Sequence, residues 1–555
     1  MTLPTKEDRY EMCRDKFDGR PDGRSNLFRE TLNRNVGIWA TEVYTCRHSS
    51  TAKQLEDDHG VSGKYTTGLL MNAFSGPDWD EDPVSLALTA LSRLIWRNNL
   101  KHKEIGMVQV GSESLIDRSK SIKSNLMALF NEFEVYDVEG TDSYNACYGG
   151  TAAMFLCFNW MQSPSWDGRF AVALPTDIAD APAQYRFMVG AAAVAILVGP
   201  EAPLRLERER VSHIIDRWDF YKPIGWHEMA PIVDGPYSVE VYMQCLDSTQ
   251  RQLRQKTGYM NAIEEHENVV FHLGSGPKFV KHAFERLLYM NYAQDEVGTA
   301  LEIHAQEGNN TAKDKFKGMP MGVQEYLFNT KVMPSLHLAS RIGPMHTAAA
   351  YTNLTSLLIA KKQKLIGRTL LVFSYGSGAA SSMYRLRVVG LPNTNWNKHI
   401  ELDNRRFVDA KVFTKLGDRY ANTYATFGWK AKVDDLQYPG AYYLTECDVR
   451  GRRAYHMVGH PTVKIQGPLS IDIPKDPVLT EEEQMLMDEL YPYKEWVDPE
   501  PEPEPEPQLP PGQPAAGGGG GGGGGLDLAN MTPENQQALA GLLQLLQQQQ
   551  QQQQQ

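Results

Sequence analysis

Two stretches of this chain leave little freedom in how it folds. Arg169-Phe170-Ala171-Val172-Ala173-Leu174 and residues 191–198 are strand-length runs in which almost every residue is apolar. A strand with one wet face alternates polar and apolar residues, whereas a strand that is apolar throughout has to be covered on both faces. The covering helices are also legible. Residues 83–96 repeat Leu86, Ala90 and Leu94 at helical spacing, residues 119–133 do so with Ile122, Leu126, Leu129 and Phe133, and Pro277 opens a segment with Val280, Phe284, Leu287 and Leu288 on one face. Further strands are expected over residues 36–44, 105–110, 268–272 and 369–374, and where Tyr384, Leu386 and Val388 alternate with Arg385 and Arg387. A strand-like run also passes through Val135 and Val138. The strand and helix rhythm occurs twice, which predicts an α/β fold made of two similar halves.

Composition narrows the function classes. The net charge of −12 is concentrated at one end: residues 476–555 hold fourteen Asp or Glu and one Lys, which leaves the rest near neutrality. An acidic tail and the lack of a basic stripe interleaved with aromatics argue against a nucleic-acid partner. The six cysteines are scattered without a CxxC pair, which favours reduced thiols in an intracellular protein. The longest apolar run, residues 188–198, is too short to span a bilayer, and the acidic residues near the start do not suit a transit peptide. A cytoplasmic, membrane-free protein is the expectation. Residues 1–34 read as an extension. The tail, with alternating Pro and Glu over 499–506, glycine over 517–525 and nine closing glutamines, reads as disordered. A short helix is expected inside it, capped by Thr532 and striped by Leu539, Leu542, Leu543 and Leu546.

One segment carries chemistry. Asp142-Ser143-Tyr144-Asn145-Ala146-Cys147-Tyr148-Gly149-Gly150-Thr151-Ala152-Ala153 places a single cysteine between turn formers and an apolar helix. A thiol at a helix N-terminus faces unpaired N–H groups, which favour the reactive thiolate; a small buried core thiol is the plainer alternative. Glu113 and His272, like Cys147, are expected at strand ends, where such sheets present functional loops.

Asn145-Ala146-Cys147-Tyr148-Gly149-Gly150-Thr151-Ala152-Ala153 resembles the active-site segment of the hydroxymethylglutaryl-CoA synthases, thiolase-fold condensing enzymes. So do Gly60-Val61-Ser62-Gly63-Lys64-Tyr65-Thr66, Trp166-Asp167-Gly168-Arg169, Trp218-Asp219-Phe220-Tyr221-Lys222-Pro223 and Phe373-Ser374-Tyr375-Gly376-Ser377-Gly378. The resemblance runs from about Val36 to Tyr455. It implies a five-layered αβαβα thiolase-like fold of two pseudo-duplicated halves, residues 35–205 with Glu113 and Cys147 and residues 206–465 with His272, followed by the tail over 466–555. It implies that Cys147 accepts an acetyl group from acetyl-CoA and that Glu113, with a raised pKa, removes a methyl proton. His272 then holds and protonates the alkoxide formed on acetoacetyl-CoA or a related β-keto acyl-CoA. Gly376, Ser377 and Gly378 are implied as oxyanion donors beside the Cys147 amide, and Lys64 and Lys278 as CoA contacts. It further implies a homodimer acting in mevalonate or specialised metabolism, with CoA thioesters as substrates and no cofactor. No metal is expected, since His227-Glu228 is not followed by the spacing a zinc site uses.

Three segments depart from the family. Its Arg-Pro-Thr-Gly-Gly-Val-Gly-Ala is here Arg186-Phe187-Met188-Val189-Gly190-Ala191-Ala192-Ala193; its Gly-Asn-Met-Tyr-Thr is Gly343-Pro344-Met345-His346-Thr347; its Ala-Gly-Asp-Ile-Ala is Pro175-Thr176-Asp177-Ile178-Ala179. Pro344 replaces an amide side chain with a residue that has no donor. The departures admit a divergent enzyme with a different acceptor, a degenerate relative that binds acyl-CoA without turnover, or a protein whose tail does the work.

Overall fold

The computed structural model describes residues 35–181, 183–223, 230–258, 261–292, 321–424, 426–430 and 440–457. The N-terminal extension, His227-Glu228, the acidic tail and its expected helix lie outside the described residues. The chain divides after Gly467, and the described residues all belong to the unit that ends there.

Ten strands form the main sheet. In chain order they are β1 (Gly37–Thr45), β2 (Ile105–Gly111), β3 (Asp142–Ser143), β4 (Phe170–Ala179), β5 (Gly190–Gly199), β6 (Leu204–Ile214), β7 (Asn268–Phe271), β8 (Thr369–Gly376), β9 (Ala380–Val388) and β10 (Asn393–Thr394). They lie side by side as β7-β8-β9-β6-β1-β5-β4-β2-β3, with β10 beside β1. The two ends of the sheet share a pattern. At one, β2 and β4 are parallel and β5 returns antiparallel to β4. At the other, β7 and β8 are parallel and β9 returns antiparallel to β8. This is the thiolase-like α/β arrangement.

Alternation along the strands divides the interior in two. Ala171, Ala173, Ala192, Val194, Ile196 and Val198 enter one core with helices α2 (Gly149–Gln162) and α5 (Ala349–Lys361). Phe170, Val172, Leu174, Ala191, Ala193, Ala195 and Leu197 enter the other, with α1 (Pro83–Arg97). The small residues let the buried helices lie close to the sheet. α1 begins with a capping box between Asp82 and Ser85 and a proline in its first turn, and α3 (Gly235–Thr257) is capped by Asp234 and ends at the left-handed Gly258. α4 spans Pro277–Tyr292.

Two expected elements differ. The helix expected over residues 119–133 is two short pieces, Ile122–Leu126 and Ala128–Asn131, interrupted at Met127. The Asp142 carboxylate accepts from the amides of Ile122 and Lys123, which ties the start of the first piece to β3. The run through Val135 and Val138 reduces to an isolated bridge between Met107 and Glu139.

Strand ends converge where backbone meets backbone. A Cβ on Gly111 would lie 2.4 Å from the Gly150 nitrogen, and one on Gly150 would lie 2.7 Å from the Thr347 carbonyl oxygen. Alanine ordinarily gains about 1 kcal/mol over glycine inside a helix. At Gly150 the clash reverses that sign, since the opposing atom is backbone and cannot swing away. Gly150→Ala is therefore expected to lower the urea midpoint, while Gly235→Ala, where nothing lies within 4 Å, leaves it unchanged or higher. Equilibrium unfolding of both variants checks this.

Candidate active site

The turn after β2 carries Ser112, Glu113 and Ser114, and the Asp177 carboxylate in β4 holds it. Asp177 Oδ1 accepts from the Ser112 hydroxyl at 2.9 Å, the Glu113 amide at 2.9 Å, the Ser114 amide at 3.0 Å and the Ser114 hydroxyl at 2.8 Å. Asp177 Oδ2 accepts from the Thr347 amide at 2.9 Å and from the Thr347 hydroxyl. One buried carboxylate thus joins the loop bearing Glu113 to the loop bearing His346. Burial, and then the nearby Glu113 charge, push its own pKa up from the ordinary carboxylate value, against His346 and the Thr347 donors.

Cys147 stands at the elbow before α2, one residue after Ala146, whose φ is +43°. Gly376 packs against this elbow; a Cβ there would meet the Tyr148 nitrogen at 2.3 Å. The Asn145 amide side chain donates to the Ser377 carbonyl at 3.2 Å. Cys147 Sγ lies 3.8 Å from Glu113 Oε1 and 3.6 Å from His346 Nδ1, and His346 Nδ1 is 2.8 Å from Glu113 Oε1. His346 has φ +44°, a strained conformation for a residue with a side chain. Its ring meets Phe220 edge-on with centroids 5.9 Å apart.

The electrostatics correct two expectations. Cys147 is not a ready thiolate: burial first, then the charges of Glu113 and Asp177, push the thiol well up, with Lys222 opposing them. Glu113 does not have a raised pKa. Burial alone would raise it, but His346, Lys222 and His272 together outweigh burial and hold it at about 2. His272 follows β7 directly, and burial, reinforced by the charge of His346 and opposed by Glu113, lowers it to about 3. Its carbonyl accepts from the Tyr242 hydroxyl at 3.0 Å.

Of the other expected positions, Gly376 closes β8 and Ser377 follows it. The Gly378 amide already donates to Asp219 Oδ1 at 2.9 Å, so it does not serve as an oxyanion donor in this arrangement. Asp219 Oδ2 also accepts from the Tyr375 hydroxyl at 3.1 Å. Lys64 is exposed, with its Nζ 5.5 Å from the centre of the Phe187 ring. The start of α4, where Lys278 lies, meets the segment after Lys64, since the Lys278 amide donates to the Leu69 carbonyl at 3.2 Å. The remodelled segments also touch: a Cβ on Gly190 would lie 2.1 Å from the Pro344 carbonyl oxygen.

Glu113, Cys147 and His346 form a cluster of metal-ligating residue types, with donor atoms within 4.8 Å of one another. Ligands spread tetrahedrally around zinc are roughly 3.3 Å apart. The 2.8 Å contact of Nδ1 with Oε1 is short enough for a direct hydrogen bond between them. Sequence reasoning quoted His346, Asp177, Asp219 and Lys222 inside motifs without giving them roles. The available signal was a titratable residue at His346 where the resembled family has tyrosine.

Residues 32–203 match the family model described as Hydroxymethylglutaryl-coenzyme A synthase N terminal, and residues 204–458 match the C terminal one. The hydroxymethylglutaryl-CoA synthase of Mycosarcoma maydis is 35% identical over 76% of this chain and 97% of its own length. The mitochondrial enzyme of Sus scrofa is 36% identical over 77% of this chain and 91% of its own, and the cytoplasmic one of Cricetulus griseus 36% over 76% and 87%. Among solved structures, MvaS in complex with 3-hydroxy-3-methylglutaryl coenzyme A is 26% identical, with TM-score 0.63, over 76% of this chain and 99% of that one.

The lowered pKa values carry a stability prediction. Both Glu113 and His272 are more acidic folded than unfolded, so the unfolded chain binds more protons and stability is lost as pH falls. The His272 share is lost from its ordinary range near 6.5 down to about 3, and the Glu113 share from about 4.5 down to about 2. The urea midpoint should fall steadily below neutrality, and His272→Gln should flatten the upper part of that decline. Asp177→Asn keeps the shape but cannot accept all six hydrogen bonds, and should lower unfolding stability by about 3 kcal/mol or more in the same assay.

Proposed function

The chain belongs to the hydroxymethylglutaryl-CoA synthase family, and we propose that Cys147, Glu113 and His272 divide its reaction among them. The reaction joins acetyl-CoA to acetoacetyl-CoA to give 3-hydroxy-3-methylglutaryl-CoA, a precursor in mevalonate and isoprenoid synthesis. It is a condensing acyl transfer, and it proceeds on CoA thioesters as substrates. The observation that carries our reading is the elbow itself, where the Cys147 thiol lies within 4 Å of the Glu113 carboxylate and of the His346 imidazole.

Cys147 attacks the acetyl thioester and becomes acetylated, which divides one difficult step into easier ones. Glu113 then takes a methyl proton, and the carbanion adds to the acceptor ketone. His272, neutral at working pH, donates a hydrogen bond to the developing alkoxide and helps protonate it. The amides of Cys147 and Ser377 are the oxyanion donors in this reading, each contributing on the order of 3 kcal/mol when aligned. Lys64 and Lys278, on segments that touch, attract the CoA phosphates. Water releases the product from sulfur. A homodimer and a cytoplasmic location belong to the same reading; among the described residues no helix is long and apolar enough to cross a membrane.

A second reading, binding without turnover, is favoured by one observation: a carboxylate held at about 2 is a weak base for a methyl proton. Labelled acetyl-CoA with peptide mapping separates the two. Label on the Cys147 peptide, followed by its transfer to acetoacetyl-CoA, supports condensation; no adduct supports the alternative. Cys147→Ser is expected to abolish the adduct. Glu113→Gln should retain it while condensation falls roughly a hundredfold or more. His272→Ala should retain it and weaken use of the acceptor acyl-CoA, through lost positioning and lost protonation of the alkoxide.

A further inference from the structure

We propose that Glu113, Cys147 and His346 form a three-ligand site for zinc, and that zinc bound there blocks the thiol. The site stands on the geometry; that its occupancy stops turnover rests on the condensing reading above. Bonds of about 2.3 Å to sulfur and about 2.1 Å to nitrogen and oxygen put a tetrahedrally bound thiolate about 3.6 Å from each partner. Sγ lies 3.6 Å from His346 Nδ1 and 3.8 Å from Glu113 Oε1. Nδ1 and Oε1 stand 2.8 Å apart and have to part by about half an ångström to reach the spacing of two such ligands.

The donor set selects the metal. A thiolate, an imidazole and a carboxylate together suit zinc, whereas magnesium and calcium prefer oxygen ligands throughout. Three protein ligands leave a fourth position for water, as in an open zinc site. Asp177 holds the frame from outside. It accepts from the amides of Glu113 and Thr347, so the loop bearing Glu113 and the loop bearing His346 keep their places relative to each other. Zinc with a thiolate and a carboxylate is neutral, and the two outer groups that act on the thiol, Asp177 and Lys222, carry opposite signs. His346 completes the set. The resembled family has tyrosine there, whose phenol keeps its proton to about pH 10 and makes a poor zinc ligand. Glu113 and His346 stand 34 and 199 residues from Cys147, so no local spacing announces the site.

Binding replaces protons. Sγ gives up its proton, Nδ1 gives up the one it shares with Oε1, and zinc takes the lone pairs so freed, while both protons pass to solvent. No electron is transferred and nothing is oxidised. A path for the cation exists wherever the acetyl thioester can reach Sγ. The sulfur lone pair that attacks the acetyl carbon and the carboxylate oxygen that takes the methyl proton are then both committed to the metal. Acetyl transfer waits until zinc leaves, which makes the elbow a reversible, metal-sensitive stop.

Cobalt(II) tests the site on the full chain, because it takes zinc's place and shows a charge-transfer band in the near ultraviolet when a thiolate binds it. Stoichiometric cobalt should produce the band, zinc should erase it, and magnesium should leave it unchanged. Cys147→Ser should abolish the band. Glycine suits the φ of +44°, so His346→Gly is the variant of choice, and it should weaken cobalt and zinc binding at least about tenfold. Circular dichroism reports folding; should that variant unfold, His346→Asn, which also tolerates positive φ, is read by the same criterion. Zinc should prevent acetylation of Cys147 by labelled acetyl-CoA, and a chelator should restore it. No band in the native chain, a band that persists in Cys147→Ser, or an affinity indifferent to His346 would each overturn the site. Acetylation undiminished at zinc concentrations that erase the cobalt band would overturn the block. The expected band in a chain that forms no acetyl-Cys147 even with chelator leaves the site standing and removes the condensing reading. Acetyl-Cys147 without the band removes only the zinc site.

Discussion

The site depends on one buried carboxylate. Asp177 comes from the middle of the sheet's parallel end, yet its two oxygens gather donors from both halves of the chain: Ser112, Glu113 and Ser114 from the first, Thr347 from the second. Burying an ionised carboxylate is unfavourable unless its lone pairs are satisfied, and here they accept from three backbone amides and three hydroxyls. Glu113 and His346 are neighbours of the residues so held, which is why their side chains meet at 2.8 Å beside the thiol. Glycines at 111, 150 and 376 then allow three loops to close on one another at backbone distance.

The electrostatics of the cluster are mutual, so no member has a fixed character. The charge of His346 lowers Glu113 and His272, and Glu113 raises Cys147. A change of charge on one group therefore changes the others. Coupled groups titrate as a set, and pH profiles of the activity belong to the cluster. The same view gives meaning to the departures around it. Phe187 stacks on Tyr65 with ring centres 4.8 Å apart and supports the cation of Lys64, while Pro344 sits two residues before His346. The departing segments meet each other at Gly190 and Pro344, beside the loop that bears His346.

Much of this was legible in the sequence, for physical reasons. The apolar runs that became β4 and β5 identify themselves because strands covered on both faces have no polar alternation to blur. Cys147 stood out because turn formers, glycines and an apolar helix converge on it. Strand β6, by contrast, is Leu-Arg-Leu-Glu-Arg-Glu-Arg-Val over its first eight residues and escaped notice. Its charges are neutralised across the sheet, where Arg385 and Arg387 reach Glu207, a pairing between residues far apart in sequence. His346 escaped for a similar reason. It lies 199 residues from Cys147, and nothing local to it signals the carboxylate and thiol it meets.

The most direct test of the coupling is a carbon-13 NMR titration of the Glu113 carboxyl in the native chain and in His346→Gly. With histidine in place the carboxyl should stay ionised through the mildly acidic range, its midpoint near about 2. Without it, the midpoint should move up into that range as burial comes to dominate. A Glu113 midpoint that is the same in both proteins would contradict the account, because the carboxylate would then owe its acidity to something other than the histidine beside it.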